Sequence, residues 1–146
     1  MAHYICIIAH VSDSYYAEQI QSLADLTRLR LLNLLTQAKE ICVCELVDAL
    51  VMPQYAVSRH LHVLEQAGFL ESRKTGRWVY YRVAPGLKPY QRTLLRAVTE
   101  LRDESLLFQA DEDRASRRLS LRRDGVCCVG LVARIGAALA PQGEKP

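Results

Sequence analysis

The side chains with the most reactive chemistry in this chain are its five cysteines. They are Cys6, Cys42, Cys44, Cys127 and Cys128. An odd count arranged in close pairs does not suit a disulfide framework, and the N-terminal residues lack the basic start and cleavage context of a secretory signal. We therefore expect reduced thiols in a cytoplasmic protein, which favours metal binding or redox chemistry. The simpler alternative for any one of them is a small buried hydrophobic residue.

The composition is that of an ordinary globular protein. Of 146 residues, 50% are hydrophobic and 24% are charged, and the formal net charge is +3. This length favours a single domain with a real core. No apolar run reaches the ~20 residues that a membrane span needs, so we expect no membrane partner. The mild positive charge is only weak evidence for a polyanionic partner.

The apolar spacing predicts several short helices, a hairpin and a long helix. Helices are expected over 14–23, 25–37 and 43–50, and a fourth runs from Pro53 until Gly68 ends it. Strands 69–73 and 77–83 flank a turn at 74–76, and the long helix covers 88–104. Two short helices with a tight turn, followed by a hairpin, are typical of a winged helix-turn-helix. The predicted fold class is mainly α with a small β-hairpin.

Three regions follow from this pattern. Residues 1–13 are predicted to form an N-terminal arm, and residues 14–104 the winged helix-turn-helix domain. Residues 105–146 are assigned to a C-terminal tail that carries the Cys127–Cys128 pair and could be flexible. The charged run from Arg114 to Arg123 is interpreted as a solvated part of that tail.

The fourth helix and the hairpin carry side chains that suit a DNA duplex. Glutamine and arginine on a helix can read adenine and guanine edges, and cations at a hairpin tip suit phosphates and set the salt dependence of binding. His60 borders the apolar stripe of its helix, so packing against a neighbouring helix explains it equally well. The predicted DNA contacts are Gln54, Tyr55, Ser58, Arg59, His60, His62, Arg73, Lys74 and Arg77.

Three segments resemble the ArsR/SmtB family of bacterial winged-helix repressors. They are LADLTRLRLLNLL (Leu23 to Leu35), ICVCEL (Ile41 to Leu46) and VSRHLHVLEQAGFLESRKTGRWVYYRV (Val57 to Val83). The resemblance implies a homodimer through the first and last helices that represses its own operon and leaves the DNA when a metal or metalloid binds. A two-fold dimer would bind a palindromic operator with half-sites about 34 Å apart.

The resemblance also implies that Cys42 and Cys44, at the start of the third helix, are ligands of the kind used by arsenic, antimony and cadmium sensors. Two departures matter. Arsenic sensors often have a further cysteine where this chain has Val47, and the last predicted helix has no histidine for a zinc site.

The missing third ligand has several sources. One of Cys127 and Cys128 could fold back from either subunit, or this pair could form a site without the third helix. Cys6, which is less favoured, could reach in from the partner subunit. We favour Cys42 and Cys44 with one of the tail cysteines.

The expected inducer is arsenite or antimonite, because these soft centres bind thiolates and their lone pair favours three sulfurs in a pyramid. Cd(II) or Pb(II), which also bind thiolates, and a thiol redox signal are the alternatives on the same fold. Residues i and i+2 of a regular helix point to different sides, so sharing one ion between Cys42 and Cys44 would distort the first turn and act as a switch.

Two other classes of function were weighed. A thiol enzyme is disfavoured, because the chain has no Cys-x-x-Cys, no phosphate-binding glycine loop and no plausible catalytic triad. A winged helix that binds a protein in place of DNA is the other class.

Overall fold

A computed structural model describes residues 13–129. Cys6 and almost all of the predicted N-terminal arm lie outside the described residues, as do residues 130–146. The helices and strands of the described range follow in the order α1 (13–21), α2 (Leu26–Gln37), β1 (Ile41–Cys42), α3 (Val43–Leu50), α4 (Gln54–Gln66), β2 (Leu70–Thr75), β3 (Trp78–Val83), α5 (Pro89–Glu104) and α6 (Leu106–Leu119).

The helices enclose one apolar core, against which the small sheet packs. Helix α4 turns Val57, Leu61 and Leu64 into this core, and each of these side chains is fully buried. They are the stripe that the i, i+4, i+7 spacing predicts. The predicted polar side of α4 therefore faces outward.

A tight turn joins α3 to α4. Val51 ends α3 with φ 54° and ψ 50° in the left-handed region, and Pro53 precedes the first residue of α4 in an extended conformation. Proline fixes its own φ and lacks an N–H that a helix start would leave unpaired. Helices α3 and α4 thus form the predicted helix-turn-helix, and with the following hairpin the fold is a winged helix-turn-helix of the α+β class.

The wing is an antiparallel hairpin in which Thr75 pairs with Trp78. The turn therefore lies at Gly76 and Arg77, two residues later than the start predicted at Lys74, and Gly76 supplies the positive φ of 58° that it needs. A third strand that the sequence did not predict, β1, adds to the outer edge of β3 and pairs Cys42 with Tyr80. This pairing brings the first cysteine of the Cys-x-Cys segment beside the wing.

Residues assigned from the sequence to a C-terminal tail form helix α6 instead. Ser105 caps this helix by accepting a hydrogen bond from the N–H of Phe108, and α6 packs against α2, α3 and α5. The interpretation of the run from Arg114 to Arg123 as a solvated tail is wrong. Arg118 is fully buried, and Arg114 and Arg122 bind α3 or the residue before β1.

Candidate metal centre

Three cysteine sulfurs meet in one buried cluster. The Sγ of Cys44 lies 3.4 Å from that of Cys42 and 3.2 Å from that of Cys127. All three ligand atoms lie within 4.8 Å of one another, and each cysteine is buried. Within residues 13–129 no fourth His, Cys, Asp or Glu ligand joins this group. Three soft sulfurs without a fourth ligand fit a three-coordinate thiophilic centre better than a tetrahedral one.

Cys42 reaches the cluster because it precedes the helix. Its backbone is extended (φ −72°, ψ 148°) at the N-cap of α3, while Cys44 lies in the first helical turn. The expectation that the first turn must be distorted to bring these two sulfurs together is therefore wrong. A change from strand to helix between the two residues turns both side chains the same way, and the helix stays regular.

Cys127 is held in the cluster by the wing. The chain turns back after α6 through Asp124 and Gly125, both with positive φ, and Arg123 pairs with Val126. The N–H of Cys127 then donates a 3.0 Å hydrogen bond to the hydroxyl of Tyr80 on β3. The buried backbone of this segment is thereby satisfied at the point where the sulfur joins the cluster.

The other two candidate ligands are not part of this cluster. Cys128 is exposed, and its sulfur lies 3.3 Å from the carbonyl oxygen of Leu121. Cys6 lies outside the described residues. The structure thus brings together Cys42, Cys44 and one cysteine of the tail pair, all from the same chain.

A ladder of arginines fastens α6 and the following turn to the cysteine-bearing helix. Arg114 Nε donates to the carbonyl oxygen of Ala49 (2.6 Å), Arg118 Nε to Oδ2 of Asp48 (2.6 Å), and Arg122 to both carboxylate oxygens of Glu45 (2.8 and 2.6 Å). Arg114 and Arg118, four residues apart, lie on one face of α6, and Arg122 follows the end of this helix at Leu119.

Arg118 of this ladder and Glu45, the partner of Arg122, both contact the cysteines. Arg118 places Nη2 3.6 Å from the sulfur of Cys44 and 3.7 Å from that of Cys127. Glu45, which is also buried, accepts a 2.8 Å hydrogen bond from the N–H of Cys42. The guanidinium stabilises negative charge on the sulfurs, and the carboxylate fixes the backbone that presents Cys42.

The three thiols differ in pKa. The S–H of Cys44 donates to Cys42, which lowers the pKa of Cys42 to about 6 despite its burial. The same hydrogen bond, together with burial, raises the pKa of Cys44, and burial raises that of Cys127. Cys42 is therefore the thiol of the cluster that most readily loses its proton, and a thiolate is a stronger nucleophile than a thiol.

Comparison with known proteins gives this site a context. The model of the family described as bacterial regulatory protein, arsR family, matches residues 25–72. The arsenic resistance transcriptional regulator ArsR2 of Pseudomonas putida is 38% identical over 110 residues, which cover 74% of this chain and 93% of that protein. The chain belongs to the ArsR family.

Further relatives agree with this membership. ArsR1 of the same organism is 43% identical over 58% of this chain, and the arsenical resistance operon repressor of Escherichia coli is 49% identical over 43%. The chain spans 66% of the length of ArsR1 and 54% of the length of the Escherichia coli repressor, which is less than two thirds of each.

A solved structure supports the same fold. The homodimeric winged helix-turn-helix domain of a possible ArsR-family regulator from Mycobacterium bovis is 32% identical, with a TM-score of 0.54 over 67% of this chain and 86% of that one. ArsR relatives are regulators, so the chain is a transcriptional regulator and not an enzyme.

In this ArsR-family chain most of the predicted DNA contacts are on the surface. Ser58 and His60 are half-buried, and the ring of His60 lies 3.5 Å from Asp25, the N-cap of α2, which agrees with a packing role. Arg73 donates to Glu40 (3.0 Å) and stacks over Tyr80 at 4.8 Å. The exposed contacts are Gln54, Tyr55, Arg59, His62, Arg73, Lys74 and Arg77. In the part of the chain that the structure describes, no helix is both long and apolar enough to cross a membrane.

Sequence reasoning missed the residues around the sulfurs. Glu45, Tyr80 and Arg118 contact the cysteines or their backbone, Arg122 binds Glu45, and none of the four was a candidate. The spacing of arginines at 114, 118 and 122 was the available signal, because cations four residues apart in a sequence would share one face of a helix.

Proposed function

We propose that this ArsR-family chain is a transcriptional repressor that leaves its operator when arsenite or antimonite binds to Cys42, Cys44 and Cys127 of one subunit. The observation that carries the proposal is the contact of these three sulfurs without a fourth ligand in the described residues. Arsenous acid would exchange its three hydroxyl groups for three thiols. Three As–O bonds break, three As–S bonds form, three waters leave, and arsenic stays trivalent.

The operator side of the proposal rests on α4 and the wing. Helix α4 would enter the major groove with Gln54, Ser58 and Arg59, while Lys74 and Arg77 of the wing would contact phosphates. The similarity to arsenic resistance regulators of Pseudomonas putida and Escherichia coli supports this role.

A homodimer through α1 and α5 would place two such units on a palindromic operator. Helix α1 packs on α5 of its own chain through Tyr16 and Tyr90, whose rings are 5.4 Å apart. It still exposes Tyr15, Tyr16 and Ile20 by 46, 43 and 53%, and Leu101 on α5 is 41% exposed. A second copy is the occupant that such an apolar surface and the homodimeric relative suggest.

The signal would pass through contacts that join the cluster to both DNA-binding parts. Cys44 belongs to α3, which is linked to α4 by the turn at Val51. Cys42 pairs with Tyr80 of the wing, and Cys127 binds the Tyr80 hydroxyl. A ligand that draws the three sulfurs to one centre therefore moves the wing relative to the helix-turn-helix.

Fluorescence anisotropy on a labelled operator fragment tests the function. Arsenite should release the wild-type protein and Cys128→Ser equally well, whereas Cys44→Ser and Cys127→Ser should stay bound at the same concentration. Arsenite that leaves wild-type binding intact would refute the proposal. Equal release of the Cys127→Ser variant would remove Cys127 from the ligand set.

One distance favours a second candidate, a redox signal. The sulfurs of Cys44 and Cys127 are 3.2 Å apart, and peroxide could oxidise the two thiols to a disulfide while it is reduced to water. Mass spectrometry of peroxide-treated protein distinguishes the two signals. A Cys44–Cys127 disulfide that forms together with operator release supports the redox signal, and release by arsenite under reducing conditions supports the metalloid signal.

A further inference from the structure

A cleft opens beside the thiol cluster on the DNA-binding side of the molecule. Its volume is about 260 Å³, and Cys44 forms part of its wall. In the described part of the chain its other lining residues are Val43, Gln54, Ser58, Arg77, Trp78, Val79 and Tyr81. One cysteine of the cluster thus also lines a cleft that combines aliphatic and aromatic side chains with polar ones.

Inorganic arsenite bound to three sulfurs would not occupy this cleft. With three sulfurs around it, arsenite keeps no substituent, and its complex lies among Cys42, Cys44 and Cys127. A trivalent arsenical that carries one carbon group forms only two As–S bonds, and its carbon group must lie outside the cluster. The Sγ of Cys44 is 3.4 Å from that of Cys42 and 3.2 Å from that of Cys127, so either neighbour completes a dithiol with the cysteine that lines the cleft.

The size and lining of the cleft suit an aromatic ring. An apolar cavity of about 150 Å³ is enough to hold benzene, and aromatic rings pack edge-to-face or offset against indole and phenol rings. The space beside Trp78 and Tyr81 exceeds that volume. A methyl group would leave most of it empty.

We propose that this cleft binds the aromatic substituent of monoaryl trivalent arsenicals, whose arsenic is held by Cys44 and one neighbouring thiol. This inference rests on the proposed thiol function of the same cluster. The hydrated phenylarsine oxide, with two hydroxyls on arsenic, exchanges them for two thiols. Two As–O bonds break, two As–S bonds form, two waters leave, and no electron is transferred.

The position of the cleft gives this ligand a direct effect on DNA binding. Three of its lining residues, Gln54, Ser58 and Arg77, are also proposed DNA contacts, and Arg77 stacks on Trp78 at 4.5 Å. A ring in the cleft separates the start of α4 from the wing without needing the third thiol. Phenylarsine oxide should therefore release Cys42→Ser and Cys127→Ser from the operator, although arsenite does not.

A matched pair of variants on one strand tests the cleft. Val79 lines it, and Val83, four residues later on β3, does not. Overpacking typically costs 1–3 kcal/mol, so Val79→Phe should weaken phenylarsine oxide at least about fivefold relative to arsenite, as read from operator release. Val83→Phe should leave that ratio unchanged. An equal ratio in both variants would overturn the inference.

The single tryptophan gives a measurement on the unmodified chain. Trp78 is the only Trp in the sequence and lines the cleft, so phenylarsine oxide should shift or quench its emission far more than arsenite does. Thiol labelling should find three free cysteines of five after phenylarsine oxide and two after arsenite. Identical emission changes with the two ligands would overturn the inference. Failure of arsenite to protect any thiol would instead refute the proposed function.

Discussion

The hydroxyl of Tyr80 in the wing accepts a 3.0 Å hydrogen bond from the backbone N–H of Cys127. Tyr80 also pairs with Cys42 through the β1–β3 ladder. One wing residue therefore contacts two cysteines that are far apart in the sequence, and it links the thiol cluster to the part of the fold that would lie on DNA.

Tyr80→Phe tests this link. The change leaves the buried N–H of Cys127 without its acceptor, and such a loss costs about 1–2 kcal/mol. We expect arsenite to bind roughly 5- to 30-fold more weakly, while operator affinity without arsenite stays the same. Tyr81→Phe, at the next position of the same strand, is the control and should bind arsenite normally. Equal arsenite affinity in the two variants would show that the hydrogen bond does not position Cys127.

The ion pair between fully buried Arg118 and partly buried Asp48 predicts a large effect on stability. Removing one partner of a buried ion pair typically costs about 3–5 kcal/mol, and the partial exposure of Asp48 favours the lower end of that range. Arg118→Leu should lower the free energy of unfolding by this order in urea denaturation. The double variant Arg118→Leu with Asp48→Leu should recover much of the loss. Arg117→Leu, on the exposed side of α6, should stay within about 0.5 kcal/mol of wild type.

If the double variant is no more stable than Arg118→Leu, the charge pair is not what holds α6 to α3. Apolar packing of α6, in which Phe108 and Ala115 are buried, would then hold this helix in place.

The turn of the helix-turn-helix contains a strained residue. Val51 is β-branched, 72% exposed and left-handed at φ 54°, a conformation that costs such a residue about 1–3 kcal/mol. Val51→Gly should therefore raise the free energy of unfolding by about 1 kcal/mol in urea denaturation. Val63→Gly, in the middle of α4, should lower it. A destabilised Val51→Gly variant would contradict the assigned turn conformation.

How far sequence reasoning succeeded depends on how local each feature is. The stripe of Val57, Leu61 and Leu64 follows from one helix's own periodicity, and it is confirmed. Strand β1 has two residues and exists only because Tyr80 and Tyr81 pair with it, so no local sequence pattern predicts it.

Long-range partners explain the remaining differences. Arg30 of α2 binds the buried carboxylate of Asp111, 81 residues away, at 2.6 Å, and no local pattern in the sequence indicates this partner. The choice between two adjacent tail cysteines could not be made from the sequence, because the hydroxyl of Tyr80 and the turn at Gly125 determine which sulfur turns inward.

The shifted pKa values of the three clustered thiols predict how stability depends on pH. The pKa of Cys42 is lowered to about 6 in the folded chain because Cys44 donates to it, against about 9 for an ordinary thiol. The unfolded chain therefore binds more protons between these values, and stability should rise from pH 6 to pH 9. Above pH 9 the raised pKa values of Cys44 and Cys127 should reverse the trend.

Urea midpoints measured across this range under reducing, metal-free conditions check the trend. Cys42→Ser should flatten the rise, whereas Cys128→Ser should retain it. A wild-type urea midpoint that decreases as the pH rises from 6 to 9 would mean that the pKa of Cys42 is not lowered in the folded chain.

Arsenic X-ray absorption spectroscopy of the arsenite-loaded chain tests the three-thiol site most directly. The predicted first shell is three sulfurs and no oxygen in wild type and in Cys128→Ser, and two sulfurs with one oxygen in Cys127→Ser. An unchanged three-sulfur shell in Cys127→Ser would contradict the assignment of Cys127 as the third ligand.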